Sequence, residues 1–423
     1  MQNKNLNSSP LFRSQGFGAL ITLFSLNGLF ISTDLIQIFT PIRYSLLLVI
    51  AINLLYFLIN LIKSNKIRMN EYFVFFFHTV IVIYGLSLSS ISGGLFLNGL
   101  REYLFLILSL ILTLFAFQEN NNANADIILP SQTHKILKKS DIKSLFKINF
   151  NLLLPLLFFI SPFILIATDT LVLTPLPRIA YDTISYKQST TAFFAIGSIV
   201  FTFLGLSSRT SIFQLSFIIL SFGMLAISML GGARGELLVG VIVVLSMLIR
   251  KISLKNFFTL IVILLSFALR LLPNISEILN KLTVFKRFSV LSQGNFGQRD
   301  ILIQQSINLL VDRTECLPLG CGFNFFQIYY GYDFGMYPHN LFAEILITYG
   351  VFLGGALILL IIFGSIYGFF SQHHRTFLYW IFLFFLGVSL KSGSLLGYYT
   401  ITILIYFAYL GLIAIKKIAA RLY

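Results

Sequence analysis

Charge is what this sequence lacks most. Asp, Glu, Lys and Arg make up only 11% of its 423 residues, less than half the share of about 25% usual in a soluble domain. That shortage excludes an ordinary soluble domain. With hydrophobic residues at 57% and a mean hydropathy of +0.89, the chain reads as a polytopic membrane protein. Acids are scarcer than bases, 15 against 30, and they are scattered. No Asp-x-Asp pair occurs, so the acids form no convincing divalent-cation site, and neither a metal nor another cofactor is expected. Cysteine is reduced to Cys316 and Cys321. No His or Asp at suitable spacing completes a zinc set with them. In an oxidising compartment the pair can close a disulfide around Pro318, as a staple rather than a catalyst. The polar N-terminus is followed by an apolar run without a small-residue cleavage site, so an uncleaved first span is expected. No internal repeat is visible.

What is present is a series of apolar runs, each near the length of about 20 residues that crosses a bilayer. They centre on residues 17–37, 44–62, 72–90, 99–117, 148–168, 190–206, 211–230, 236–249, 256–272, 341–369, 376–390 and 398–415. The expected fold class is therefore an all-α polytopic membrane protein with about twelve transmembrane helices. With both termini inside, the inner segments hold eighteen bases and four acids, and the outer ones twelve and eleven. This orientation meets the positive-inside rule and its inverse fails it. The net charge of +15 is then a topology signal, and no nucleic-acid partner is expected.

The chain divides at its most polar stretch. Residues 118–147, containing QENNNANAD and five lysines, suit a cytoplasmic linker lying near anionic headgroups. Residues 1–147 are thus expected to form N-terminal transmembrane helices with a cytoplasmic linker, and 148–423 the catalytic half. The latter includes a large helical outer loop, 273–338, ahead of the tenth span. A loop that long is usually functional. Ile275, Ile278, Leu279, Leu282 and Phe285 recur at helical spacing, as do Ile303, Ile307, Leu310 and Val311. His78, inside an early span, is expected to bond a neighbouring helix, and His373 and His374 to be solvated.

Polar chemistry gathers on the expected outer face. Arg234 and Glu236 follow a Gly-Gly turn in GGARGELL. They stand two residues apart, so they would not face each other on a helix, and an arginine at membrane depth points to function. Further on come Arg287, Arg299, His339, Asn340 and Glu344. Guanidinium forks match phosphate oxygens, and imidazole titrates where a hydroxyl proton can be taken near neutral pH. Arg234, Arg299, His339 and Glu344 are the candidate catalytic residues, with Glu344 placed either to orient the imidazole or to bind sugar. Arg287, Asn340, Glu236, Arg178 and Arg101 are candidate substrate contacts. Lys391 either lines the same cavity or sits in water. This set suits glycosyl transfer from a lipid diphosphate, in which a base deprotonates the acceptor and arginines stabilise the departing diphosphate.

The order GGARGELL, GQRDILI, PLGCGFNFF and PHNLFAEILITYGVFLGG resembles the O-antigen polymerase and O-antigen ligase superfamily over roughly residues 231–355. The resemblance implies glycan transfer on undecaprenyl diphosphate at the outer face of the bacterial inner membrane, and a chain-length regulator as a possible partner. By motif it assigns the family's arginines and loop histidine to Arg234, Arg299 and His339. The PHNLFAE form is more similar to polymerases. A ligase acting on lipid A-core is the alternative. A flippase of lipid-linked oligosaccharide is a third reading, and a metal-dependent transferase using Asp34 a fourth.

Overall fold

The computed structural model describes residues 11, 18, 21–22, 69–92, 106–117, 150–167, 171–172, 178–179, 188–208, 210–251, 298–332, 336–397 and 399–422. The described part is helical apart from one two-residue antiparallel ladder. There β1 (Leu171–Val172) pairs with β2 (Arg178–Ile179), Leu171 opposite Ile179 and Val172 opposite Arg178.

The expectation of about twelve spans is corrected here. Among the described residues six helices are long and apolar enough to cross a membrane: Val74–Ile91, Phe150–Ala167, Gln188–Ser207, Ser211–Leu230, Leu341–Phe370 and Thr400–Ala420. Two of the expected spans are shorter helices, Leu106–Phe117 and Phe377–Ser392. A third, Arg234–Lys251, carries Arg234, Glu236, Arg250 and Lys251 in its eighteen residues. Its uncharged middle, residues 237–249, rises only about 20 Å, against a hydrocarbon core of about 30 Å. The runs near 17–37 (save residues 18, 21 and 22), 44–62 and 256–272 lie outside the described residues.

The described helices fall into two compact units. The first holds α3 (Phe150–Ala167), α4 (Gln188–Ser207), α5 (Ser211–Leu230) and α6 (Arg234–Lys251). Its centre is α4, buried along most of its length. Short polar side chains fasten α5 to it without free donors: Thr202 and Ser221 share a hydroxyl contact of 2.7 Å, and Ser221 also donates to the Ser198 carbonyl at 2.9 Å. On α3, Pro162 has no N–H for the Phe158 carbonyl one turn back. The Ser161 hydroxyl donates to that carbonyl instead, at 2.9 Å, which is how a proline is accommodated within a span.

The second unit takes two helices from before the polar linker, α1 (Met69–Ser92) and α2 (Leu106–Phe117), together with the chain from residue 298 onward. His78 on α1 bonds Ser109 on α2 at 3.0 Å, a link between neighbouring helices as expected. The expected second loop helix is α7 (Gln298–Asp312), but its buried edge is Leu302, Ser306 and Leu309, while Ile307 and Val311 are exposed. The expected first one, with Arg287, lies outside the described residues. Two short helices follow, α8 (Cys316–Leu319) and α9 (Phe325–Tyr330), with Cys316 and Cys321 joined in a disulfide. The tenth expected span is α10 (Leu341–Tyr349), a π-turn over Gly350–Gly354, and α11 (Gly355–Phe370). A 3-10 turn at Gln372–Arg375 leads to the buried α12 (Phe377–Ser392) and to α13 (Thr400–Leu422). That turn is not merely solvated: Trp380 Nε1 donates to the His374 carbonyl at 2.6 Å, and burial beside Lys417 lowers the pKa of His373 to about 4.

α11 and α13 cross backbone against backbone. A Cβ on Gly364 would strike the Phe407 carbonyl, and one on Gly411 the Leu360 carbonyl. Two spans gain no hydrophobic drive from each other in lipid, so small residues that permit close van der Waals contact hold them. Gly364→Leu should therefore cost at least 1–3 kcal/mol, on the order expected for an overpacked interface. The measure is thermal unfolding in detergent, with Gly355→Ala, whose Cβ meets nothing within 4 Å, expected to leave stability unchanged or raised.

Candidate active site

The candidate groups of the second unit collect where α10 begins. Asn340 is extended, at φ −145° and ψ 115°, and its Oδ1 accepts from the backbone N–H of Phe342 at 3.0 Å and of Ala343 at 3.1 Å. This N-cap is worth about 1 kcal/mol. It occupies the side-chain acceptor expected to meet substrate hydroxyls, leaving the amide NH2. Between buried Pro338 and this cap, His339 is held at φ +52°. That left-handed conformation costs a non-glycine residue on the order of 1–3 kcal/mol, and such outliers persist where surrounding contacts fix them.

Tyr337 supplies such a contact. Its ring centroid lies 4.1 Å from that of the His339 imidazole, and its hydroxyl donates to the Ser392 carbonyl at 2.6 Å. The segment Tyr337-Pro338-His339 is thereby fixed against the end of α12, whose last turn carries Lys391. α7 packs against α10, with Leu302 and Ile347 in one hydrophobic cluster, and its first turn carries half-buried Arg299. Burial, and after it the charges of Arg299 and Lys391, lower the pKa of His339 from 6.5 to about 4. Near neutral pH the imidazole is uncharged and faces the field of two cations. Its Nδ1 is buried without a hydrogen-bond partner among the described residues.

Glu344 has a different task from either one expected of it. It is buried in α10, with Oε1 accepting from Ser394 Oγ at 3.2 Å and Oε2 from the Leu395 N–H at 2.8 Å. Both oxygens thus hold the turn after α12 onto α10, and no bond joins the carboxylate to the imidazole. His339 precedes the cap in a left-handed conformation, so it leaves the line of the helix on which Glu344 sits.

In the first unit, Arg234 and Glu236 open α6 just after Gly232, which has φ +75°. Arg234 is half-buried and Glu236 buried, and neither lacks a partner. The turn before them rests on the start of α4, where Thr191 accepts from the Ala233 N–H at 3.2 Å and from the Ser228 hydroxyl at 2.9 Å. Arg178 contributes its backbone to the small ladder. Arg101 and Arg287 lie outside the described residues. The structure therefore groups Arg299, His339 and Lys391 in the second unit. Tyr337 and the 394–395 turn were missed in the sequence. An aromatic residue two places before the histidine and a lysine ending a buried helix were the signals on hand.

Compared with family models, with curated proteins and with solved structures, the chain matches none. The resemblance noted in the sequence rests on its four motifs alone.

Two outcomes follow. Folding favours the neutral ring, because the folded pKa of about 4 lies below the unfolded value of 6.5. The contribution is complete above pH 6.5 and is lost as the pH falls toward 4. Lys391→Met should raise the His339 midpoint toward 6.5, read by NMR titration of labelled histidine. Glu344→Ala should cost about 1–3 kcal/mol by leaving the buried Leu395 N–H unpaired. Glu344→Gln, which keeps an acceptor there, should lose less in the same unfolding assay.

Proposed function

We propose that this chain is a glycosyltransferase of the bacterial inner membrane that polymerises surface polysaccharide. It moves the growing glycan from its undecaprenyl diphosphate onto the next lipid-linked repeat unit at the outer face, with both termini in the cytoplasm. The observation carrying this reading is the uncharged, half-buried imidazole of His339 under the positive charge of Arg299 and Lys391. A neutral imidazole can accept a proton, and fixed cations nearby can hold a diphosphate.

In this mechanism His339 Nε2 takes the proton of the acceptor hydroxyl. The hydroxyl oxygen bonds to the anomeric carbon, and the bond to the diphosphate breaks with its electron pair going to the leaving group. Arg299 and Lys391 stabilise the charge that develops on the departing oxygen. A base of pKa about 4 is weak for this work. The negative charges of a bound diphosphate offset the two cations and favour the imidazolium, while burial, the larger cause, still holds the pKa down. The base thus gains strength when the substrate is in place. The Asn340 cap fixes the backbone next to the imidazole. A separate chain-length regulator fits the same reading.

The direct test uses purified protein in liposomes with lipid-diphosphate-linked repeat units. Wild type should make longer glycans without any core acceptor, and His339→Ala should reduce the rate by about 10²–10⁴-fold, the usual worth of a general base. Transfer only onto lipid A-core would replace polymerisation by ligation. Movement of the lipid-linked sugar across the bilayer without lengthening would overturn the enzymatic reading. In the binding arm, inorganic pyrophosphate should raise the His339 titration midpoint, and Arg299→Ala should abolish that rise.

A further inference from the structure

The disulfide-closed turn lies in a part of the chain where a surface loop is expected, yet its contacts run to the interior of two spans. The Leu319 carbonyl accepts from the Tyr84 hydroxyl at 2.7 Å. Tyr84 is on α1, within the stretch Val74–Ile91 that is long and apolar enough to cross a membrane. Gly320 lies backbone to backbone against Gly350, nine residues into the span Leu341–Phe370, or about 14 Å along it. Both partners of the turn thus lie inside helices of membrane-crossing length.

Irregular backbone is tolerated at such depth only if its polar groups are satisfied by protein or water. Here the protein satisfies them. The Gly320 N–H donates to the Cys316 carbonyl at 2.9 Å, that of Cys321 to Ile347 at 2.8 Å, and that of Gly322 to Thr348 at 3.1 Å. The Phe323 carbonyl accepts from Ser89 Oγ at 3.2 Å. Two of the last three carbonyls of α10 are thus used by the turn, and the N–H groups of Gly320, Cys321 and Gly322 are all paired. Both Gly320 and Gly350 have positive φ, +87° and +72°, and a Cβ on either would collide with the other strand of the contact.

What the turn leaves uncovered is apolar. Leu317 is 41% exposed and Leu319 59%, beside Val351 at 45% and Phe352 at 73% on the π-turn. Val351 and Phe352 begin a run of exposed large hydrophobics that continues on α11 with Leu359 and Phe363. That run continues to Phe370, the far end of the span Leu341–Phe370.

We infer that residues 316–322 form a re-entrant turn set into the bilayer, from the leaflet nearest Leu341, with Leu317 and Leu319 in contact with lipid acyl chains. The occupant is lipid because the exposed apolar surface of the turn is continuous with the lipid-facing surface of a membrane-length helix at the same level. The inference rests on the membrane reading of the chain and is independent of glycosyl transfer.

The test is tryptophan quenching in nanodiscs, with the unsubstituted protein as background for the single native Trp380. Leu319→Trp should emit at short wavelength, lose at least half its added intensity to lipids brominated on the acyl chain, and resist aqueous iodide. Long-wavelength emission quenched by iodide would overturn the inference, as would protection from both quenchers, which would mark a protein-covered surface. Protection of both cysteines from alkylation reports an intact turn. Should Leu319→Trp fail that check, Leu317→Trp and Phe352→Trp read the same level.

Discussion

A backbone carbonyl without a donor is costly in hydrocarbon, and the second unit is arranged around that constraint where α10 ends. The helix breaks at Tyr349 and Gly350, leaving Ile347 and Thr348 to find donors outside the helix. Cys321 and Gly322 supply them. Because this pairing needs close backbone approach, Gly320 and Gly350 stand where any side chain would collide, and the disulfide closes the turn that presents the donors. α1 completes the arrangement through Tyr84, Ser89 and the face at Gly85, against which Phe323 packs. One unsatisfied helix end therefore fixes three segments: the end of α10, the disulfide turn and α1.

The other end of α10 is governed by charge rather than by backbone pairing. His339, Arg299 and Lys391 approach one another in a setting where mutual repulsion and burial both act against the imidazolium. The geometry survives because other interactions hold it: the Asn340 cap, the Tyr337 hydroxyl on Ser392, and Glu344 on the turn beyond α12. None of these has to touch a ligand. They keep a like-charged cluster from relaxing, which is the condition under which an anion would be gripped and a base strengthened by it.

Much of this was legible in the sequence, and the failures have particular causes. The polytopic class followed from charge depletion, and the placement of α5, the 341–370 span and α7 from the length and spacing of their apolar residues. The His78 bond to a neighbouring helix followed from the cost of an isolated polar group among apolar ones. The count of about twelve spans failed because an apolar run does not report how much of it is helical or where its charged ends begin. The segment 234–251 is long enough in total, yet its uncharged middle is too short. Glu344 bonds the turn at Ser394 and Leu395 and not His339, because proximity along the chain says nothing of direction once a left-handed residue and a cap intervene.

By itself the sequence determined what is set by composition and local pattern: several long apolar helices suited to a membrane, a polar stretch at residues 118–147, and a late segment where arginine, histidine and both cysteines gather. Such features depend on transfer free energies and backbone preferences that each residue carries wherever it lies. Only the tertiary structure decided that Lys391 joins Arg299 at His339, that Glu344 anchors a turn, and that Cys321 and Gly322 complete a helix 26 residues away in sequence. Those pairings join groups whose separation along the chain carries no information about their separation in space. They exist because buried donors, acceptors and charges must be satisfied by whatever the packed helices bring within reach.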